Sequence, residues 1–238
     1  MSKSNDPDDF LYDDDENEIW DEHRWEEFMQ ESDRRTDKYS DLLDKYMDHP
    51  DRDKIIAKEM GWDWLAERLE EEETEDFSEE DNWADFFIHE LEEGEEWKLA
   101  AGYESLDSFS FDDVENLPVY QQAFEYTITA FELLDTHLKG KSDESINAFA
   151  SSVGVPAVKI AGGYSLGFEM DSLGGNIANC KRGLKAANNT LIALQEMKKK
   201  GLIDQKIFMD FYERGKEVRD NLGIYIVELR EKFRRGFR

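Results

Sequence analysis
Ile207, Phe208, Phe211, Val218, Leu222, Tyr225, Ile226, Leu229 and Phe233 recur mostly at steps of three and four over roughly 204–235. That is a near-continuous a/d stripe about four heptads long. A strand cannot carry it, because alternate residues of a strand face opposite sides. The helical pattern before it ends at Gly201, after Lys198, Lys199 and Lys200, which suit a helix C-terminus. Only a few residues separate the two helices, so they must lie as antiparallel neighbours. No run of the chain shows sustained period-two alternation between turn residues. The chain is therefore expected to be all-α, with a C-terminal antiparallel helical bundle over 117–238.

Two more elements complete that bundle. Phe124, Ile128, Phe131, Leu134 and Leu138 step by four and three, which predicts the seam of a helix over roughly 117–139. Gly140 stops it, Ser142 is placed to cap a short helix near 143–153, and Gly154-Val155-Pro156 restarts the chain. Residues 157–200 are helical in pattern but rich in small residues, among them Ala161, Gly163, Gly167, Gly174, Gly175, Gly183 and Ala187. Each internal glycine costs about 0.5–1 kcal/mol relative to alanine. Close approach of another backbone is the simplest offset, and a break at Gly162-Gly163 or Gly174-Gly175 the next. Some of Asp171, Asn176, Asn179, Asn188 and Asn189 are expected to face inward and fix the pairing of helices.

Charge divides the chain. Residues 1–120 hold 43 acids against 11 bases, and residues 121–238 hold 15 against 18, for a net −29 over 238 residues. Halophilic acidity would be spread evenly, so a local cause is indicated. Phosphate would be repelled, which argues against direct nucleic-acid binding. No apolar run is long enough for a membrane span. With 39% hydrophobic and 13% aromatic residues, wholesale disorder is excluded too. The opening residues Met1 to Asp6 carry no apolar leader pattern. The lone Cys180 reads as a small buried residue, so a reducing cytoplasmic location is expected.

The acidic half is read as a mobile arm over 1–14 and an acidic helical region over 15–116. All six tryptophans lie in that region: Trp20, Trp25, Trp62, Trp64, Trp83 and Trp97. Six tryptophans do not suit a disordered tail, so these helices should dock on the bundle or on a partner. Tyr39, Leu42, Leu43, Tyr46 and Met47 form one stripe. Ile56, Met60 and Trp64 form a second, weakened or bent at Gly61, and Trp83, Phe87 and Leu91 a third.

Candidate chemistry follows from the acids. Asp81, Asp85, His89 and Glu93 step by four and share one helix face. Asp85, His89 and Glu93 are the candidate ligands for a divalent metal such as Zn²⁺, Fe²⁺ or Mn²⁺, against the plainer reading of a solvated acidic face. His23 among Asp21, Glu22, Glu26 and Glu27 is a weaker set of the same kind. No Glu-x-x-His pair, Gly-x-Ser-x-Gly, His-Glu-x-x-His or Cys-x-x-Cys occurs, and no cofactor is expected.

The leading expectation is a non-enzymatic interaction protein whose acidic helical surface meets a basic partner protein. It would act as a nucleic-acid mimic and inhibitor, or as an adaptor or assembly factor. The partner-binding set is Asp63, Glu67, Glu70, Glu71, Glu72, Glu73, Asp81, Asp85, Glu92, Glu93, Glu95 and Glu96, with Trp62 and Trp83 as apolar anchors. The alternatives are a carboxylate and histidine metal- or small-ligand-binding bundle, an enzyme included, and a homodimer through the 207–233 stripe.

Overall fold
The computed structural model describes residues 19–72 and 114–237. Among them there is no strand. The helices are α1 (Glu22–Tyr46), α2 (Arg52–Met60), α3 (Asp63–Glu72), α4 (Pro118–His137), α5 (Glu144–Val153), α6 (Val155–Leu166), α7 (Leu173–Lys199) and α8 (Gln205–Gly236). The described residues fall into two compact units: residues 28–72, and residues 19–27 together with 114–237.

In the larger unit α7 is the central helix. Sixteen of its 27 residues are buried, and α5, α6 and α8 all pack on it. Residues 173–180 are buried all round, so that stretch has no solvent face to make amphipathic and its sequence lacks a clean stripe; a solvent face begins only later, at Lys185, Asn188, Asn189, Ile192 and Gln195. Short side chains let its neighbours come close. A Cβ on Gly163 of α6 would fall 2.7 Å from Asn176 Oδ1, and one on Gly183 would fall 3.3 Å from both Leu222 and Lys159 Cβ. Leu173, Ile177, Leu191, Leu194 and Met197 of α7 fill the core with Phe149, Ile160, Val218, Leu222 and Ile226.

The break in the 157–200 stretch lies at neither glycine pair. It spans 167–172, where Gly167 adopts a left-handed φ of 102° that a side chain would strain. Asn176 Nδ2 donates to the Gly167 carbonyl at 3.1 Å and holds the turn from within. Asn176 and Asn179 are the inward-facing members of the polar set; Asp171, Asn188 and Asn189 are exposed. Cys180 is buried, its Sγ donates to Asn176 Oδ1 at 3.6 Å, and burial pushes its thiol up to about 12.

The α7–α8 hairpin turns at 200–204. Leu202 N–H donates to the Met197 carbonyl at 3.0 Å, closing α7, and Asp204 caps α8 by accepting from Ile207 N–H at 2.8 Å. At α5 the cap is Asp143 rather than Ser142: its Oδ1 accepts from Ser145 N–H at 2.8 Å and from the Ser145 hydroxyl at 2.6 Å. Lys200 reaches the same oxygen at 2.7 Å.

The seam expected on α4 is the outer face. This helix buries Val119, Ala123, Tyr126, Thr127, Ala130 and Leu133, while Phe124, Ile128 and Phe131 are 46%, 46% and 48% exposed. Of the expected seam only Leu134, half-buried, and Leu138, buried just beyond the helix, point inward. Hydrogen bonds across the core fix the inner face: Tyr126 reaches across to α8, where its hydroxyl donates to the Phe211 carbonyl at 3.1 Å. Thr127 likewise bonds the Val153 carbonyl of α5 at 3.2 Å.

In the smaller unit, the later part of α1 buries Leu42, and α2 buries Ile56 and Ala57. Lys38 Nζ donates to the Glu59 carbonyl. Gly61, with φ 78°, ends α2 outright, so α3 starts afresh with a new set of faces.

Candidate functional site
That fresh start decides where the α3 side chains go. Trp62 N–H donates to the Ala57 carbonyl at 2.8 Å and folds the chain back at the corner. The Trp62 ring then rests half-buried against Tyr39, centroids 5.7 Å apart. Ala66 is buried and Leu65 and Leu69 partly so, which sets the inner face of α3. Asp63 and Glu67, four apart, are exposed on the other side. Trp64, three residues before Glu67 and four before the half-buried Arg68, is 65% exposed.

Exposure of the two tryptophans is therefore the reverse of the pattern the anchor reading needs. Trp62, an anchor only if exposed, is half-buried within its own unit, and Trp64, expected on the stripe with Ile56 and Met60, faces solvent. The reason is Gly61. A continuous helix would have kept Trp64 over Met60, whereas the left-handed residue resets the rotation. The glycine was visible in the sequence, and reading it as a stop would have found Trp64. Glu70, Glu71 and Glu72 lie in the last turn of α3. Glu73, Asp81, Trp83, Asp85, His89, Glu92, Glu93, Glu95 and Glu96 lie outside the described residues, and with them the candidate metal set.

A second group of acids is spent internally, within the larger unit. Asp21 caps α1, its Oδ1 accepting from His23 N–H at 2.9 Å and Arg24 N–H at 3.0 Å. Glu22 accepts from Arg230 through both oxygens, at 2.6 and 2.7 Å, and pairs with Lys181 at 3.2 Å. Glu26 pairs with Arg182 at 2.8 Å. The Arg230 guanidinium, followed by Lys181, holds the Glu22 carboxyl below its ordinary value, against the opposing effect of burial. A bidentate arginine is the strongest form of such a contact.

Beside this clamp, Trp20 and Trp25 meet edge to face with centroids 5.5 Å apart. They close over Gly174 and Gly175 of α7. A Cβ on Gly174 would meet the Trp20 carbonyl and Trp25 Cδ1, and one on Gly175 would fall 2.9 Å from the Trp25 ring. The glycine pair is thus a floor for residues 19–27 rather than a kink. Sequence reading singled out His23 and its acids as weak metal ligands, yet two of those acids bind cations of the same chain. The signal lay in Lys181 and Arg182, bases about two turns beyond the glycine pair.

Among the described residues, no three His, Cys, Asp or Glu side chains come together as a metal site, and no helix is long and apolar enough to cross a membrane. Comparisons with protein-family models, with curated proteins and with solved structures find no match.

Proposed function
We propose that the chain is a non-enzymatic interaction protein that offers an acidic, tryptophan-bearing helical surface to a basic partner protein. The observation that carries this reading is Trp64, 65% exposed on the outer face of α3 with Glu67 as its i+3 neighbour and Asp63 on the same exposed side. Tryptophan is a large apolar side chain that is mostly buried on average, and it is among the residues that dominate binding energy when a partner covers them. Carboxylates at its rim steer a cationic partner and orient it, while the indole supplies the buried area. The surplus of acids in residues 1–120 adds a long-range field of the same sign.

Capture of basic proteins by the immobilised full chain tests the reading, at low and at raised salt. Trp64→Ala should abolish capture of one or two discrete basic proteins at both salts, and Asp63→Asn with Glu67→Gln should weaken it mainly at low salt. Trp62→Ala acts differently, by loosening the α2–α3 corner, which thermal melting reports. A salt-sensitive smear of basic proteins, equal for the parent and for Trp64→Ala, refutes the reading.

A further inference from the structure
The outer face of α4 carries a second surface, in the larger unit and remote in sequence from Trp64. Phe124, Ile128 and Phe131 are four and three residues apart, so they form one stripe along two turns. Tyr120 extends it by a turn, its ring stacked on Phe124 at 5.8 Å and 20°. The inner face of the same helix is filled by Val119, Ala123, Tyr126, Ala130 and Leu133. The outer aromatics are therefore not a core that failed to close. The helix has two apolar faces, and among the described residues only one is covered. Three large apolar side chains, each about half exposed on one stripe, make a contiguous patch of the kind that marks an interaction site.

Charge beside the stripe selects the occupant. At 100° per residue, Gln121, Glu125 and Glu132 fall along one flank of it, while Asp135 continues the stripe itself one turn beyond Phe131; all four are exposed. Asp135 is matched by Lys139 at 3.0 Å. Arg214 of α8 comes near this side, but it donates to the Thr129 hydroxyl at 3.1 Å and lies over the Tyr126 ring. Glu125 and Glu132 thus present acid along an apolar ridge. A second copy laid antiparallel on this face would set Glu125 against Glu132 of its twin, a like-charge contact, between molecules that each carry a net −29. An apolar stripe flanked by cations has no such conflict.

We infer that the outer face of α4 docks an amphipathic helix of a partner protein whose apolar stripe is flanked by lysine or arginine. Its apolar residues pack between Tyr120, Phe124, Ile128 and Phe131, and its cations meet Glu125 and Glu132. The inference does not depend on Trp64, and the two surfaces are separable by mutation.

The test uses the full chain and three labelled synthetic peptides of about five helical turns each. One carries a leucine stripe flanked by lysines, one the same stripe flanked by glutamates, and one the lysines with glutamine in place of leucine. Fluorescence anisotropy is read at about 0.15 M salt, where general attraction is screened. The lysine-flanked stripe should bind at least about tenfold tighter than either control. Phe124→Ser with Phe131→Ser should remove that advantage, while far-UV circular dichroism stays unchanged because both rings lie on the outside. Glu125→Lys with Glu132→Lys should turn the preference toward the glutamate-flanked peptide. Trp64→Ala should leave all three affinities alone.

Equal binding of the two lysine peptides overturns the inference, as does an unchanged preference in the Glu125→Lys, Glu132→Lys variant. Loss of binding in Trp64→Ala moves the peptide to α3, which overturns this inference and leaves the proposed function standing. A mass that doubles with concentration and returns to monomer in the Phe124→Ser, Phe131→Ser variant makes a second copy the occupant, and overturns it too.

Discussion
Alanine in place of Gly174 puts a Cβ against the Trp20 carbonyl and within 2.9 Å of the Asp21 backbone carbon, and backbone does not yield cheaply. The expected outcome is release of residues 19–27, seen as a red shift and a rise in quenching of tryptophan emission. The accompanying loss of stability should be about 1–3 kcal/mol, the usual cost of overpacking. Gly223→Ala is the control: no heavy atom lies within 4 Å of its added Cβ, so helix propensity should make that variant neutral or up to about 1 kcal/mol more stable. Glu22 gives a second prediction. Its carboxyl is held below the ordinary 4.5, so its charge stabilises the fold above that pH, and the effect is lost as pH falls through the lower folded value. Glu22→Gln should melt below the parent by a margin that is constant above about pH 5 and narrows in acid. Thermal melts of both chains across that window check it, and a margin that widens in acid would contradict the clamp. That glycines here mean close approach was legible from composition alone. What approaches them was not, because Trp20 lies more than 150 residues earlier and no local spacing records a long-range contact.

Elements were legible to different depths. The boundaries of α4, α5 and α8 follow the proline, glycine and a/d signals closely, because helix ends are set by local chemistry. Facing is set by packing, and there α4 was misread. Its most hydrophobic stripe points outward, since Tyr126 and Thr127 find hydrogen-bond partners across the core and Ala123 and Ala130 let α4 sit close. Bulk alone does not choose the buried face when the neighbouring helices need short side chains. The α3 reversal has a local cause instead, in the φ of Gly61. A prediction at this scale concerns the start of α5. Hydrogen bonds from Lys200 first, and then from Ser145, hold the Asp143 carboxyl at about 2 against an ordinary 3.8. Its stabilising charge is present above pH 3.8 and is lost on descent from there toward pH 2. Asp143→Ala should therefore lower the melting temperature at neutral pH, and Asp143→Asn, which keeps a cap but not the charge, should lower it less. Melts at pH 7 and pH 2.5 check the order, and the parent should lose most of its lead over Asp143→Asn at the lower value.

At the scale of the whole molecule, charge partition was the plainest message of the sequence, and part of it has an internal address. Residues 121–238 carry three more bases than acids, and residues 19–27 carry four acids against the single Arg24. The clamp joins these two surpluses through Glu22, Glu26, Lys181, Arg182 and Arg230. A chain lacking residues 1–27 should keep the helical signal of α4 to α8, whose core is its own. It should melt about 4–7 °C lower, as a loss of about 1–2 kcal/mol implies for a domain of this size. Differential scanning calorimetry checks the shift, and added salt should narrow the gap between the two chains.

The burial of Cys180 has a practical side. It is the sole cysteine among 238 residues, and burial both encloses its thiol and pushes it up to about 12, which keeps it in the unreactive thiol form at neutral pH. Maleimides and iodoacetamides attack the thiolate, so the folded parent should stay unlabelled. A cysteine introduced at Trp64 or Ile128 then becomes the one reactive handle on the protein. The chain comes ready for single-site dyes, spin labels and cross-linkers, with no background mutation to clear first.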